Sequence, residues 1–136
     1  MLKFSDIILN DDLSDEEYDC YNPNISIEVL GYDEIDTNLI RINIAKNLDC
    51  NQAMKLLNKY LSFLANCENK VATYLSEVLS TELDEDWIDD IEVYELSITI
   101  KAINDYGATI VFSNVSVFGD CDIEIDFNKE TIEDHR

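Results

Sequence analysis

Between Asn51 and Ser80 the apolar residues Ala53, Leu57, Tyr60, Leu64, Cys67, Val71, Tyr74 and Val78 recur at alternating steps of four and three. That spacing puts them on one stripe of a helix. Leu56, Leu61, Leu75 and Leu79 widen the stripe, which is too broad for a coiled-coil seam and suits packing against a sheet. Asp49, with Gln52 three residues later, forms a capping-box pattern that marks the start of the helix. An unbroken helix of this length would be a rod of about 45 Å. A bend or break is therefore expected near the polar stretch Asn66-Cys67-Glu68-Asn69.

Other segments alternate with the period of two of half-buried strands. Ile25, Ile27 and Val29 do so after Pro23, and Ile40, Ile42 and Ile44 follow a turn-like stretch from Gly31 to Asn38, so the two are expected to pair as an antiparallel hairpin. After the helix, Leu96, Ile98 and Ile100 alternate with Ser97, Thr99 and Lys101. Asn104 to Gly107 reads as a turn, Thr109 to Phe112 as a strand, and Ile123, Ile125 and Phe127 alternate with acids before a turn at Asn128-Lys129. The first 22 residues read as an apolar edge segment and a solvated loop carrying Asp11, Asp12, Asp15, Glu16, Glu17 and Asp19. The expectation is a single α+β domain over residues 1–136, with one long amphipathic helix on one face of a mainly antiparallel sheet.

Charge narrows function more than pattern does. Thirty Asp and Glu against nine Lys and Arg give a formal charge of -21, while 46% hydrophobic residues are enough for a core. A surface this negative repels phosphate backbones and anionic lipid, which argues against direct nucleic-acid or membrane-surface binding and for a basic protein or a divalent cation as partner. No apolar run has the length of a membrane span, and Asp6 falls where a signal peptide needs its apolar region, so a cytoplasmic protein is expected.

Most catalytic chemistries find no foothold. Cys20, Cys50, Cys67 and Cys121 include no closely spaced pair, so reduced thiols are expected, with Cys67 and Cys50 as small buried residues, and no structural zinc. The only histidine, His135, stands next to last, and Gly31, Gly107 and Gly119 are isolated, which leaves no phosphate loop. No cofactor is expected.

Two acidic groups are the main candidate sites, and the acidic N-terminal stretch with Tyr18 and Tyr21 is a third that reads rather as a solvated loop. Asp84, Glu85, Asp86, Asp89, Asp90, Glu92 and Glu95 surround Trp87 and Tyr94, whose large rigid rings suit a protein interface and whose carboxylate ring suits Lys or Arg of a partner. The competing reading is that Trp87 closes the helix-sheet core over solvated acids. Asp120, Asp122, Glu124 and Asp126 alternate with apolar residues and are expected on one strand face, as a second partner-binding stripe or as charges that guard an edge strand. Their spacing lacks the glycine and final glutamate of a calcium loop, so no metal is assigned.

From Ile25 to Ile132 the order of elements resembles a bacterial family, the domain of unknown function numbered 2262. The likeness lies in a strand pair, an amphipathic helix ending near Trp87, a strand and turn at Asp105-Tyr106-Gly107, and the Val117-Phe118 step into Asp122 to Phe127. Where that family has an aromatic-Gly-His step, this chain has Gly119-Asp120-Cys121. The resemblance implies the fold and, the family's function being unassigned, no activity. In charge and size the chain is also similar to bacterial immunity proteins and to phage-encoded inhibitors of defence nucleases. The leading expectation is thus a non-enzymatic inhibitor that occludes a basic toxin of nuclease type. The alternatives are a nucleic-acid mimic aimed at a host defence nuclease and a metal-assisted hydrolase built on clustered carboxylates.

Overall fold

A computed structural model describes residues 1–134, and His135 lies outside them. One mixed sheet of seven strands is covered on one face by two helices. Strands β1 (Ile7–Leu9), β2 (Tyr18–Pro23) and β3 (Ile40–Ala45) precede helices α1 (Cys50–Ala65) and α2 (Glu68–Leu79). Strands β4 (Glu92–Ala102) and β5 (Asp105–Ser113), a single helical turn α3 (Val115–Phe118), β6 (Ile123–Asn128) and β7 (Thr131–Ile132) follow. The strands lie side by side in chain order. Every neighbouring pair is antiparallel except β3 and β4, which run parallel because the helices carry the chain back across the sheet.

The alternation read from the sequence sets which face is covered. Ile40, Ile42, Leu96, Ile98, Ile100, Ile110, Phe112 and Ile125 are all essentially inaccessible, and the register aligns Ile42 with Ile98 and Ile110 with both Leu96 and Ile125. Ala53, Leu57, Leu64 and Val71 of the helices pack into the same core. The α1 start is capped as expected, Asp49 accepting from the Gln52 amide at 3.1 Å. Tyr60 ties α1 to the β6–β7 turn, its hydroxyl donating to the Lys129 carbonyl at 2.7 Å.

The long helix is two helices, and the break lies at Asn66 and Cys67. Its cause is a tight turn from an earlier part of the chain. Leu30 and Gly31, both at positive φ, donate their amides to the carbonyls of Leu64 and Ala65 at 3.0 and 3.1 Å. The end of α1 is thereby closed from outside, as an αL cap would close it from within. The break also resets the helical phase, so that Val71 and Leu75 face the core while Val78 is exposed. Cys67 stays in the buried stripe, where burial pushes its thiol up to about 12.

The expected hairpin of residues 25–29 with 40–44 does not form. Residues 24–36 carry no strand beyond an isolated bridge between Val29 and Tyr32, and β3 pairs with β2 instead. Ile27, Val29, Leu30 and Ile35 are buried all the same, because the segment plugs the end of α1. The first 22 residues do supply an edge strand, β1, but the expected solvated loop contains β2. Asp15 organises the turn into β2 by accepting from the Glu17 and Tyr18 amides at 2.8 Å, bonds that hold its carboxyl below the usual range, the Tyr18 bond foremost. The turn read at Asn104–Gly107 is tighter, and Asp105 to Gly107 already belong to β5. Gly107 is needed there because a Cβ would collide with the Phe127 carbonyl oxygen of β6. Cys50, expected to be buried, is exposed at the first position of α1.

Candidate functional site

From Val71 to Ile100 the sequence holds nine acids and no Lys, Arg or His. Their placement follows from how the chain leaves α2. Ser80 takes a left-handed conformation and Thr81 donates to the Ser76 carbonyl at 3.1 Å, which stops the helix. A 3-10 turn at Glu85–Ile88 then drives Trp87 inward. The indole is buried at 6% exposure, 6.1 Å from the Phe112 ring, so it does not present the surface contact expected of it. Ile91 and Val93 follow it into the core. Asp84, Glu85, Asp86, Asp89, Asp90, Glu92 and Glu95 all remain exposed around this wedge.

Tyr94 owes its exposure to a β-bulge. Val93 pairs with Phe112 and Glu95 with the adjacent Val111, which leaves Tyr94 as the extra residue. Two successive side chains, Tyr94 and Glu95, therefore point outward, while Val93 and Leu96 both face the core. The Tyr94 hydroxyl accepts from Ser113 Oγ at 3.0 Å, which holds the ring at the mouth of β5.

Two exposed apolar residues that the sequence did not mark as a site follow β5. Val115 and Val117 of α3 are 68% and 42% exposed. Asn114, itself buried, fixes them: its Oδ1 accepts from the Val117 amide at 3.3 Å and its Nδ2 donates to the Trp87 carbonyl at 2.5 Å. The exposed apolar turn and the acidic turn are thus clamped by one side chain. Only the Asn-x-x-Val capping pattern in the sequence could have signalled it.

The second acidic group is dispersed. Asp120 lies in the turn after α3 and Asp122 precedes β6, so the expected stripe of four on one strand reduces to Glu124 and Asp126. β7 lies beyond β6 in the sheet and pairs with Phe127 and Asn128 at its end. Asp126 is half-buried and accepts from Thr109 Oγ1 at 2.6 Å. The two groups meet at one row of the open sheet face, where Val111 pairs with Glu95 on one side and Glu124 on the other.

Among the described residues no three His, Cys, Asp or Glu side chains come together in a way that could hold a metal ion. No helix is long and apolar enough to cross a membrane. No protein-family model, curated protein or solved structure matches the chain. The likeness to the bacterial family described above rests on its residue pattern alone.

Proposed function

We propose that this chain is a non-enzymatic inhibitor that binds and occludes a basic protein, of the kind by which an immunity protein neutralises a nuclease-type toxin. The observation that carries the reading is the cation-free acidic surface from Glu82 to Glu95, mounted on a buried Trp87–Ile91–Val93 wedge and bordered by exposed Tyr94, Val115 and Val117. The carboxylates attract a basic groove at long range and compete for the positions where phosphates would sit. Tyr94 and the two valines supply the apolar contact that slows dissociation, in place of the buried Trp87. Among the described residues the acids are abundant but do not converge, which favours occupancy over metal-assisted hydrolysis. In this reading the protein acts in the cytoplasm, where its four cysteines remain thiols.

The test is capture on the immobilised protein at low salt, elution with salt, and assay of the eluate for nuclease activity with and without excess free protein. A basic nuclease that is retained and silenced supports the proposal. Retention of no basic protein, or a retained nuclease left fully active, overturns it.

A further inference from the structure

The sheet ends differently at its two sides. At one, β7 is two residues long and lies between Glu130 and Glu133. At the other, β1 reads Ile7-Ile8-Leu9, and among the described residues no strand lies beyond it. Natural edges are commonly guarded by a charge, a proline or a bulge. β1 has none of these. Ile8 and Leu9 are 52% and 47% exposed although successive residues point to opposite faces, so both faces of this edge are apolar and open.

The backbone of this edge is free to pair. Asn24 donates to the Asp6 carbonyl and Asn10 to the Cys20 carbonyl, both at 2.8 Å, which turns residues 6, 8 and 10 toward β2. Alternation then turns both the N–H and the C=O of Leu9 outward. The Ile7 amide, by contrast, is closed onto the Phe4 carbonyl. A cleft of about 670 Å³ adjoins the edge, lined by Ile8, Leu9, Asp11 and Asp12 and by Thr37 and Asn38 from the turn before β3. On the other face Leu9 opposes Tyr21, whose ring Phe4 meets edge-on at 5.7 Å.

Charge selects the occupant. From Phe4 to Ile40 the chain holds eleven acids and no Lys, Arg or His. Asp6 precedes β1 and Asp11 and Asp12 follow it, so a strand laid along β1 meets carboxylates at both ends. A second copy does not suit the site: antiparallel pairing of two β1 strands brings Asp6 of each toward Asp11 and Asp12 of the other, between chains of charge -21. A cationic strand relieves the same repulsion.

We infer that β1 is a docking edge for an extended segment of the basic partner, which joins the sheet as an antiparallel strand centred on Leu9 with a Lys or Arg at each end. The inference rests on the proposed function for the source of that segment. The residue opposite Leu9 exchanges both backbone hydrogen bonds with it, and the residue opposite Ile8 lies on the face of the cleft. The end cations meet Asp6 on one side and Asp11 and Asp12 on the other. This edge is separate from the acidic surface that leads into β4, since β2 and β3 lie between them.

The test is an amide-resolved NMR titration of the full chain with acetyl-Lys-Thr-Val-Val-Thr-Lys-amide, taken to millimolar peptide. One control is N-methylated at the first valine, which removes a strand hydrogen bond and keeps the charge; the other has Glu for both Lys. Saturable shifts centred on Ile8 to Asn10 and slowed hydrogen exchange of the Leu9 amide are expected, with both controls weaker by about tenfold or more. Leu9→Pro removes an N–H that faces away from β2, so it should keep the fold and weaken the peptide about fivefold. Ile8→Thr, at an exposed position, should weaken it about threefold and serves as the second variant if Leu9→Pro is poorly folded. Equal binding of either control, shifts spread over all the acids, or full affinity in both variants would overturn the inference. So would a Leu9 amide protected in the peptide-free protein and increasingly so at higher protein concentration, which would assign the edge to a second copy. If the peptide fails while a basic nuclease is still captured and silenced, the docking edge falls and the inhibitor reading stands. If the peptide binds as expected but no basic protein is captured, the edge stands and the inhibitor reading falls.

Discussion

The acids from Glu82 to Glu95 and those from Asp120 to Asp126 are alike in composition and differ in what their backbone does with them. In the first group a 3-10 turn and a bulge leave every carboxylate outside while Trp87, Ile91 and Val93 turn inward. In the second, two acids sit in a turn region and two on the open sheet face, one of them bonded to Thr109. A row of acids in sequence is therefore no guide to a row in space. The first group is a surface on a rigid mount, and the second mixes loose charges with a structural carboxylate.

The largest expected effect tests the mount. Trp87→Ala should cost about 3–5 kcal/mol of stability in urea unfolding, as large-to-small core changes do, whereas Tyr94→Ala should cost well under half as much. Equal costs would show that Trp87 is not the residue on which the acidic turn rests. Next comes steering. Replacing Asp86, Asp89 and Asp90 by Lys should slow association with a captured basic partner by about tenfold or more at low salt, and the same change at Asp120, Asp122 and Glu124 by less than about threefold. Stopped-flow rates that respond equally would erase the distinction between the two groups.

Within the second group, Thr109→Val should destabilise by about 1–2 kcal/mol through the lost charged hydrogen bond of Asp126, while Glu124→Gln should stay within about 0.5 kcal/mol. A silent Thr109→Val would return Asp126 to the solvated acids. The smallest effect is salt. Raising ionic strength should lift the melting temperature by a few degrees through screened repulsion, and Asn at positions 86, 89 and 90 should remove more of that rise than Asn or Gln at 120, 122 and 124. Calorimetry that finds the reverse order would place the denser repulsion at the second group.

Legibility in the sequence followed the range of the interaction responsible. The stripe from Ala53 to Val71 and the alternations in β4 to β6 record which side chains face a core a few residues at a time, and they were readable. Ile25, Ile27 and Val29 carry the same alternation, yet their backbone finds its partners at the end of α1 rather than in a ladder, so periodicity reported burial and not strand. In β2, Tyr18-Asp19-Cys20-Tyr21-Asn22-Pro23 has no apolar alternation, and its identity as a strand depends on β3. The acids of the candidate site were legible as positions. That Trp87 would point inward and that Asn114 would bond its carbonyl depends on contacts between distant segments, and only the Asn114 cap on Val117 leaves a local pattern.

The parallel pairing of β3 with β4 has a consequence for how the chain assembles. The other ladders join strands linked by sixteen residues or fewer, whereas this one must wait for residues 46–91 to close a loop. Loop closure of that kind is the slow part of sheet formation. Two local meanders, β1 to β3 and β4 to β7, should therefore form first, with their docking across β3 and β4 setting the refolding rate. Mutations at Ile42 and Ile98, which face each other across that ladder, should slow refolding, whereas Phe127 and Ile132 at the far edge should mainly speed unfolding. Stopped-flow chevrons with the opposite assignment would mean that the sheet grows from its β7 edge.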